Sequence, residues 1–193
     1  QTKPNFRRIK VCSVSGALPG PHCHQTKEAM FIPGTSPIST CNVHREVTID
    51  SLSGLRSCAM HDESAKREVF EFWPSDILSL FREAGIMRRV PPEYKKECTD
   101  QGPNGISPGI VSPQLGLIYA ARGKTETEIP LQAVVDADVR QIFWFVDDQP
   151  VGSGPAAEII YWSAKPGNYV VRVVDDQGRA QAKRVSVQVV SGE

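Results

Sequence analysis

The chain has 193 residues, enough for one large domain or two small ones, and we expect two. Its 40% hydrophobic and 23% charged residues are ordinary for a globular protein and exclude a disordered chain. Lys plus Arg and Asp plus Glu both number 22, so the chain lacks the positive field that binding to nucleic acid or an anionic membrane needs.

The amino end carries no recognisable targeting segment. Gln1 to Asn5 is polar, no initiator Met precedes it, and the first ten residues lack the apolar core of a signal peptide. We therefore expect a fragment or processed chain, with any export signal or membrane anchor upstream. Repeated Pro and Gly between residues 19 and 37 predict chain that wraps over a surface without building a sheet.

Two local elements are predicted before residue 90. Alternation in Glu46–Asp50, followed by a turn and by Leu55–Cys58, predicts a hairpin. A short helix should begin after Pro74, with Ser75 as its cap and Gly85 at its end. Its apolar stripe would consist of Ile77, Leu80, Phe81 and Ala84.

The chemistry of the chain changes near residue 104. All five cysteines and all four histidines precede residue 105, and a Pro- and Gly-rich passage from Asp100 to Pro113 is typical of a linker. We therefore predict a loop-rich, cysteine-bearing segment at 1–104 and a separate domain at 105–193.

The second half has the strand spacing of an immunoglobulin-like antiparallel β-sandwich, with six or seven strands. Trp144 lies in an apolar run and should fill the core, and Tyr169 follows a tight turn where its hydroxyl could bond nearby backbone as a corner. The strands are predicted at Leu117–Ala121, Ile129–Val135, Gln141–Val146, Ala157–Trp162, Tyr169–Asp175 and Ala182–Val190.

The cysteine density indicates an oxidising compartment, where cross-links stabilise a loop-rich segment. In one scheme, which we favour, Cys23 pairs with Cys41 and Cys58 pairs with Cys98, leaving Cys12 as a lone thiol.

A second scheme keeps the Cys58–Cys98 disulfide and forms a tetrahedral zinc site from Cys12, Cys23, Cys41 and His44. It uses every cysteine. Zinc ligands usually come in two close pairs, however, whereas Cys12 and Cys23 are far apart in sequence, and thiolates outside the cytosol face oxidation. No metal is therefore expected in the favoured scheme, and His22 and His24 are interpreted as surface residues.

No catalytic residue and no cofactor site is predicted. The chain lacks the Ser-x-x-Lys, Ser-x-Asn and Lys-Thr-Gly motifs of penicillin-recognising enzymes. The pairs Asp147-Asp148 and Asp175-Asp176 are interpreted as turn residues, because neighbours on a strand end point in opposite directions. Of Tyr161 and Trp162, one ring should be core and the other is the best aromatic candidate for a ligand surface.

Several motifs resemble the bifunctional penicillin-binding proteins, in the segment after the transpeptidase domain and in the C-terminal domain. The resemblance spans nearly the whole chain, and its motifs are moderately specific singly and strong in combination. The motifs are Val11–Gly16, Cys23, Phe31–Ile38 and Cys41–Arg45, then Phe143–Asp147, Pro166–Tyr169 and Arg172–Ala180.

The resemblance implies a periplasmic enzyme, anchored to the inner membrane, that polymerises and cross-links peptidoglycan through domains that this sequence does not contain. It leaves an accessory region, which we expect to be a protein-interaction module, with a bacterial α2-macroglobulin-like protein as a candidate periplasmic partner. Two alternatives stay open: a module that binds peptidoglycan through an exposed aromatic ring, and a structural buttress for the transpeptidase domain.

Overall fold

The computed structural model describes residues 6–36, 38–58, 65–98, 105–122 and 126–190. Two compact units are present, one formed by Gln1–Phe72 with Arg89–Cys98 and the other by Trp73–Arg88 with Thr99–Glu193. The segment 73–88, which the sequence analysis placed before the domain boundary, thus belongs to the second unit. The expected boundary near residue 104 lies outside the described residues.

The first unit begins with an antiparallel hairpin. Strand β1 (Arg7–Cys12) pairs with β2 (Thr26–Phe31), from Arg7 opposite Phe31 to Cys12 opposite Thr26. The prediction that residues 19–37 build no sheet is therefore wrong for β2. Pro and Gly are confined to the segments on either side of it, so Thr26–Phe31 can complete a ladder.

A second hairpin follows in the same unit. Strand β3 (His44–Asp50) confirms the strand predicted at residues 46–50, and its long ladder is with β4 (Ala65–Glu71), which was not predicted. The predicted hairpin with residues 55–58 is present as a short pairing: the Asp50 amide donates to the Leu55 carbonyl and the Ser57 amide donates to the Thr48 carbonyl, both at 2.9 Å, around an antiparallel bridge between Ile49 and Arg56. The Arg56 amide in turn donates to the Glu93 carbonyl at 2.8 Å, and its carbonyl accepts from the Lys95 amide at 2.9 Å.

Helix α1 (Ser75–Glu83) has the predicted length, but its start and its buried face differ from the prediction. Ser75 does not cap the helix; its hydroxyl accepts a hydrogen bond from the Val135 amide at 3.1 Å. Leu78 is buried, whereas Leu80, assigned to the apolar stripe, is 58% exposed. Gly85 ends the helix as predicted, with positive φ and the paired amide contacts of a Schellman motif.

The second unit contains the predicted β-sandwich. Its strands are β5 (Gly109–Ser112), β6 (Ile118–Arg122), β7 (Thr127–Val134), β8 (Ile142–Val146), β9 (Gln149–Gly154), β10 (Ile160–Ala164), β11 (Gly167–Asp175) and β12 (Ala180–Val190). The three-stranded sheet has the order β10-β7-β5, and the five-stranded sheet has the order β6-β12-β11-β8-β9. Among the described residues, β5 and β9 are strands that the sequence analysis did not predict.

Alternating side chains from both sheets build the core of this sandwich. Trp144 is fully buried, as predicted. Val171 and Val173 of β11 lie beside Val185 and Val187 of β12 in the same core, which gives the β-branched inner face expected from a period of two.

Two turns confirm their sequence signatures. Asp147 and Asp148 both have positive φ, as a two-residue type I′ turn between β8 and β9 requires. The Tyr169 hydroxyl donates to the Lys165 carbonyl at 2.9 Å, so the tyrosine corner is confirmed. In the part of the chain that the structure describes, no helix is long and apolar enough to cross a membrane.

A buried ion cluster crosses one end of the sandwich. The Arg179 side chain is 1% exposed, and its Nε and Nη2 atoms contact the carboxylates of Asp175 at 2.6 Å and Asp138 at 2.8 Å. Its Nη1 lies 3.9 Å from Asp136. Arg179 therefore compensates the negative charge of buried carboxylates that come from two separate segments.

Replacing Arg179 with Met should lower the free energy of unfolding by about 3–5 kcal/mol, because it leaves carboxylates buried without their cation. The matched variant Arg172→Met removes an ion pair with the exposed Asp148 and should cost no more than about 1 kcal/mol. Urea unfolding followed by circular dichroism measures both. Equal effects of the two substitutions would contradict the role given to Arg179.

Asp50 closes the turn after β3 in the first unit. Its carboxylate forms an ion pair with Lys95 and accepts hydrogen bonds from the Leu52 amide at 2.8 Å and the Ser53 hydroxyl at 3.1 Å. The Lys95 ammonium, assisted by the Leu52 amide, lowers the pKa of Asp50 from 3.8 to about 2. Because the folded pKa lies below the unfolded one, the stabilisation is present above about pH 4.

The stability difference between the wild type and Asp50→Asn should therefore be constant at neutral pH and shrink as the pH falls from about 4 toward 2. Lys95→Met should remove most of this pH dependence of stability, because Lys95 is the main cause of the lowered pKa of Asp50. Unfolding midpoints across this range measure the effect. A wild type and an Asp50→Asn variant that stay parallel at every pH would refute it.

Candidate metal centre and ligand surfaces

Three cysteines and one histidine converge in the first unit. Cys12 ends β1, Cys23 lies in the connection between β1 and β2, Cys41 precedes β3, and His44 is the first residue of β3. Cys12 and Cys41 are buried, while Cys23 and His44 are half-buried. Residues from three separated stretches of chain thus meet at one place.

The His44 ring contacts all three cysteines of this cluster. Its Nδ1 lies 3.6 Å from the Sγ of Cys12, 3.6 Å from the Sγ of Cys23 and 3.5 Å from the Sγ of Cys41. The four potential ligand atoms all lie within 4.8 Å of one another. Thiolate sulfur and imidazole nitrogen are the ligands that zinc prefers, so this arrangement can hold such an ion.

Backbone contacts hold the loops around the cluster. The Gly20 amide donates to the Cys23 Sγ at 3.3 Å, and the Cys41 amide donates to the Leu18 carbonyl at 2.8 Å. A Cβ at Gly20 would lie 2.9 Å from the Cys41 carbonyl oxygen, so the close approach of these two loops requires glycine.

The thiols differ in acidity. Burial favours the neutral form of Cys12, but hydrogen bonds from Ser15 and from the Val14 backbone outweigh it and lower the pKa of Cys12 to about 7. Burial raises the pKa of the Cys23 thiol to about 11; Cys41 and Cys12 raise it further, while the hydrogen bond from the Gly20 amide opposes the rise.

A cysteine–histidine pair can also act as a nucleophile and base, but the burial of Cys12 and Cys41 leaves them poorly accessible to a substrate.

The two cysteine schemes share the Cys58–Cys98 disulfide and differ in whether Cys23 is bonded to Cys41. Cys58 and Cys98, predicted as partners in both, are joined by a disulfide with 5.6 Å between their Cα atoms. Cys23 and Cys41 are free thiols, so the structure does not contain the disulfide that the sequence analysis favoured for them. The physical reason is that both sulfurs contact the His44 Nδ1, at 3.6 and 3.5 Å, which sequence spacing alone does not reveal.

The other candidate residues lie outside this cluster. His22 is half-buried and His24 is exposed. Tyr161 is 62% exposed, whereas Trp162 packs against the core and meets the Tyr169 ring edge-on at 4.8 Å. Tyr161 is therefore the aromatic residue of that pair that a ligand could reach.

The paired aspartates serve turns and separate partners. Asp147 accepts a hydrogen bond from the Val170 amide at 2.7 Å, and Asp148 contacts Arg172 at 2.7 Å. Asp175 binds the buried Arg179, while Asp176 accepts from the Arg140 amide at 3.0 Å. The carboxylates of a pair thus do not face a common ligand position, in agreement with the turn interpretation.

A groove of about 390 Å³ on the second unit was not predicted from the sequence. It follows the outer face of the five-stranded sheet at strands β6, β12 and β11, where Ile118 and Val170 are exposed and Arg184 brings a positive charge. The sequence signal that could have revealed this groove is an apolar residue at an outward-facing position of a strand whose other outward-facing residues are polar.

Two family models match the chain. The Penicillin-Binding Protein C-terminus Family matches residues 98–187, and the family described as Penicillin-binding protein 1A, C-terminal domain, matches residues 3–46. The second match contains all four residues of the cysteine–histidine cluster. No curated protein matches the chain.

Two solved structures are similar to part of the chain. The fibronectin(III)-like modules of Clostridium thermocellum CbhA are 18% identical, with 44% of this chain and 99% of that chain covered and a TM-score of 0.34. The SGBP-B protein of the Bacteroides ovatus mixed-linkage glucan utilization locus, in complex with a mixed-linkage heptasaccharide, is 22% identical, with 47% and 26% covered and a TM-score of 0.31.

Proposed function

We propose that the chain, whose two family matches support a C-terminal region of a penicillin-binding protein, is a non-catalytic, periplasmic accessory region whose sandwich binds another protein. The order of the sequence motifs supports a synthase of the 1C type in particular. The absence of the three penicillin-recognising motifs from the sequence supports a role other than transpeptidation.

The groove beside β6 is the observation that carries the interaction role. Strand β6 lies at the end of the five-stranded sheet and pairs on one side with β12. Ile118 is 60% exposed and Leu117 is 52% exposed. Neither side chain is part of the hydrophobic core of the sandwich, so the core does not explain why these positions are apolar. An exposed apolar cluster at a sheet edge is typical of a protein-binding surface.

The occupant that fits this place is an extended segment of a periplasmic partner. Such a segment can add to the edge of a sheet through main-chain hydrogen bonds while its side chains enter an adjacent groove. Here an apolar side chain would pack against Ile118 and Val170, and an acidic neighbour would face Arg184. A bacterial α2-macroglobulin-like protein is the partner to test first, because the family resemblance implies it.

One observation favours a second function, binding to peptidoglycan. The exposed Tyr161 ring lies on β10, in the other sheet, and could stack on a sugar. A buttress for the transpeptidase domain is the third alternative; in that case deletion of residues 105–193 should leave partner recruitment unchanged.

The interaction proposal predicts that Ile118→Glu weakens binding of the chain to a purified α2-macroglobulin-like protein by tenfold or more. A tenfold loss corresponds to about 1.4 kcal/mol, which a carboxylate placed in an apolar contact readily exceeds. Isothermal titration calorimetry measures the affinity, and circular dichroism checks the fold of each variant.

Tyr161→Ala is the matched control, since it removes an exposed apolar ring from the opposite sheet and should leave this affinity unchanged. The same proteins are also sedimented with purified sacculi. Co-sedimentation that is lost on Tyr161→Ala and kept by Ile118→Glu would support the glycan alternative and count against protein interaction. Absence of binding to the α2-macroglobulin-like protein would remove that partner.

A further inference from the structure

We propose that Cys12, Cys23, Cys41 and the Nδ1 atom of His44 bind one structural Zn²⁺ ion. This site belongs to the first unit, and its proposed role does not depend on the groove on the second. The distances between the four side chains, their chemistry and the backbone that presents them support it.

The distances agree with the edges of a zinc tetrahedron. With Zn–S near 2.3 Å and Zn–N near 2.0–2.1 Å, a tetrahedral site places sulfur and nitrogen roughly 3.6 Å apart. The three observed Sγ–Nδ1 distances are 3.6, 3.6 and 3.5 Å. Each sulfur thus lies at the distance from the His44 Nδ1 that a shared zinc ion would give, and the four ligand atoms all lie within 4.8 Å of one another.

Hydrogen bonding alone does not explain this convergence. A neutral imidazole Nδ1 carries either one proton or one lone pair, so it can satisfy one thiol and not three. A disulfide would bring two sulfurs to about 2.0 Å and turn them away from a shared centre. One cation satisfies all four groups at once.

The ligand set selects the metal and its role. Thiolate and imidazole ligands favour zinc over Mg²⁺ and Ca²⁺, which require oxygen ligands. Four protein ligands complete a tetrahedron and leave no position for water or substrate, as in structural sites with three cysteines and one histidine. We therefore assign the ion a structural role and no part in catalysis.

The local backbone orients one of the proposed ligands. The Gly20 amide donates to the Cys23 sulfur at 3.3 Å, a contact of the kind that holds a ligating side chain in position around a metal. The long separation between Cys12 and Cys23 is no obstacle, because the Ser13 amide bonds the Gln25 carbonyl at 3.1 Å and folds the connection back on itself.

Bound zinc would also account for reduced thiols in an oxidising compartment. The sulfur lone pairs that attack disulfides are shared with the metal, and the burial of Cys12 and Cys41 limits access of oxidants. The ion would tie β1, the connection after it and the start of β3 into one body, at a place where few apolar side chains are available.

The first test measures zinc and free thiols on the 193-residue chain, purified without reductant after production in an oxidising compartment. We expect one zinc per chain by plasma mass spectrometry. Alkylation after denaturation with a chelator should label three cysteines, because only Cys58 and Cys98 are oxidised. A disulfide between Cys23 and Cys41 would give one label and no zinc, which would overturn the proposal.

The second test compares ligand and control variants. His44→Asn and Cys23→Ser should each lower zinc content at least tenfold, whereas His24→Asn, adjacent to Cys23 and outside the cluster, should retain one zinc per chain. Loss of zinc in His24→Asn to the same degree as in His44→Asn would contradict the assignment of ligands.

Cobalt substitution of the wild type keeps the test independent of variants that fail to fold. Tetrahedral Co²⁺ bound to thiolates should give intense visible ligand-field bands and near-ultraviolet sulfur-to-metal charge transfer. A chain with three reduced thiols that binds neither added zinc nor added cobalt would overturn the proposal.

Discussion

Convergence of three sulfurs on one imidazole is the constraint around which the first unit is arranged. The unit consists of two short hairpins and loops, and its described buried apolar side chains are few, among them Val11, Val43 and Phe72. A segment of this kind gains more from cross-links than from hydrophobic burial. The Cys58–Cys98 disulfide joins two residues that are 40 apart in sequence, and the thiol cluster, filled by zinc in our proposal, would join β1, the connection after it and the start of β3.

The second unit is stabilised by a hydrophobic core. Its sandwich buries Trp144 and a set of β-branched side chains, and the charge that it does bury is organised around Arg179. Stability thus does not depend on sulfur in this unit, which leaves its outer sheet face open to other roles. The apolar groove at β6 fits the proposed role of an accessory region that binds another protein.

Sequence patterns predicted the sandwich well because strand alternation and turn chemistry are local. Asp147-Asp148 specified a turn, and alternating valines in β11 and β12 specified an inner face. The prediction was wrong where tertiary contacts decide: Leu78 and not Leu80 faces inward from α1, and the long ladder of β3 is with β4, which the sequence did not predict. The same limit applies to the cysteines, since four distant residues share a centre only after the chain has folded.

In our proposal, the cluster of Cys12, Cys23, Cys41 and His44 is a metal site. X-ray absorption at the zinc edge, on the intact chain, reads the ligand shell directly. We expect three sulfur neighbours near 2.3 Å and one nitrogen near 2.0 Å. A shell of nitrogen and oxygen alone, typical of zinc bound at a protein surface, would contradict it.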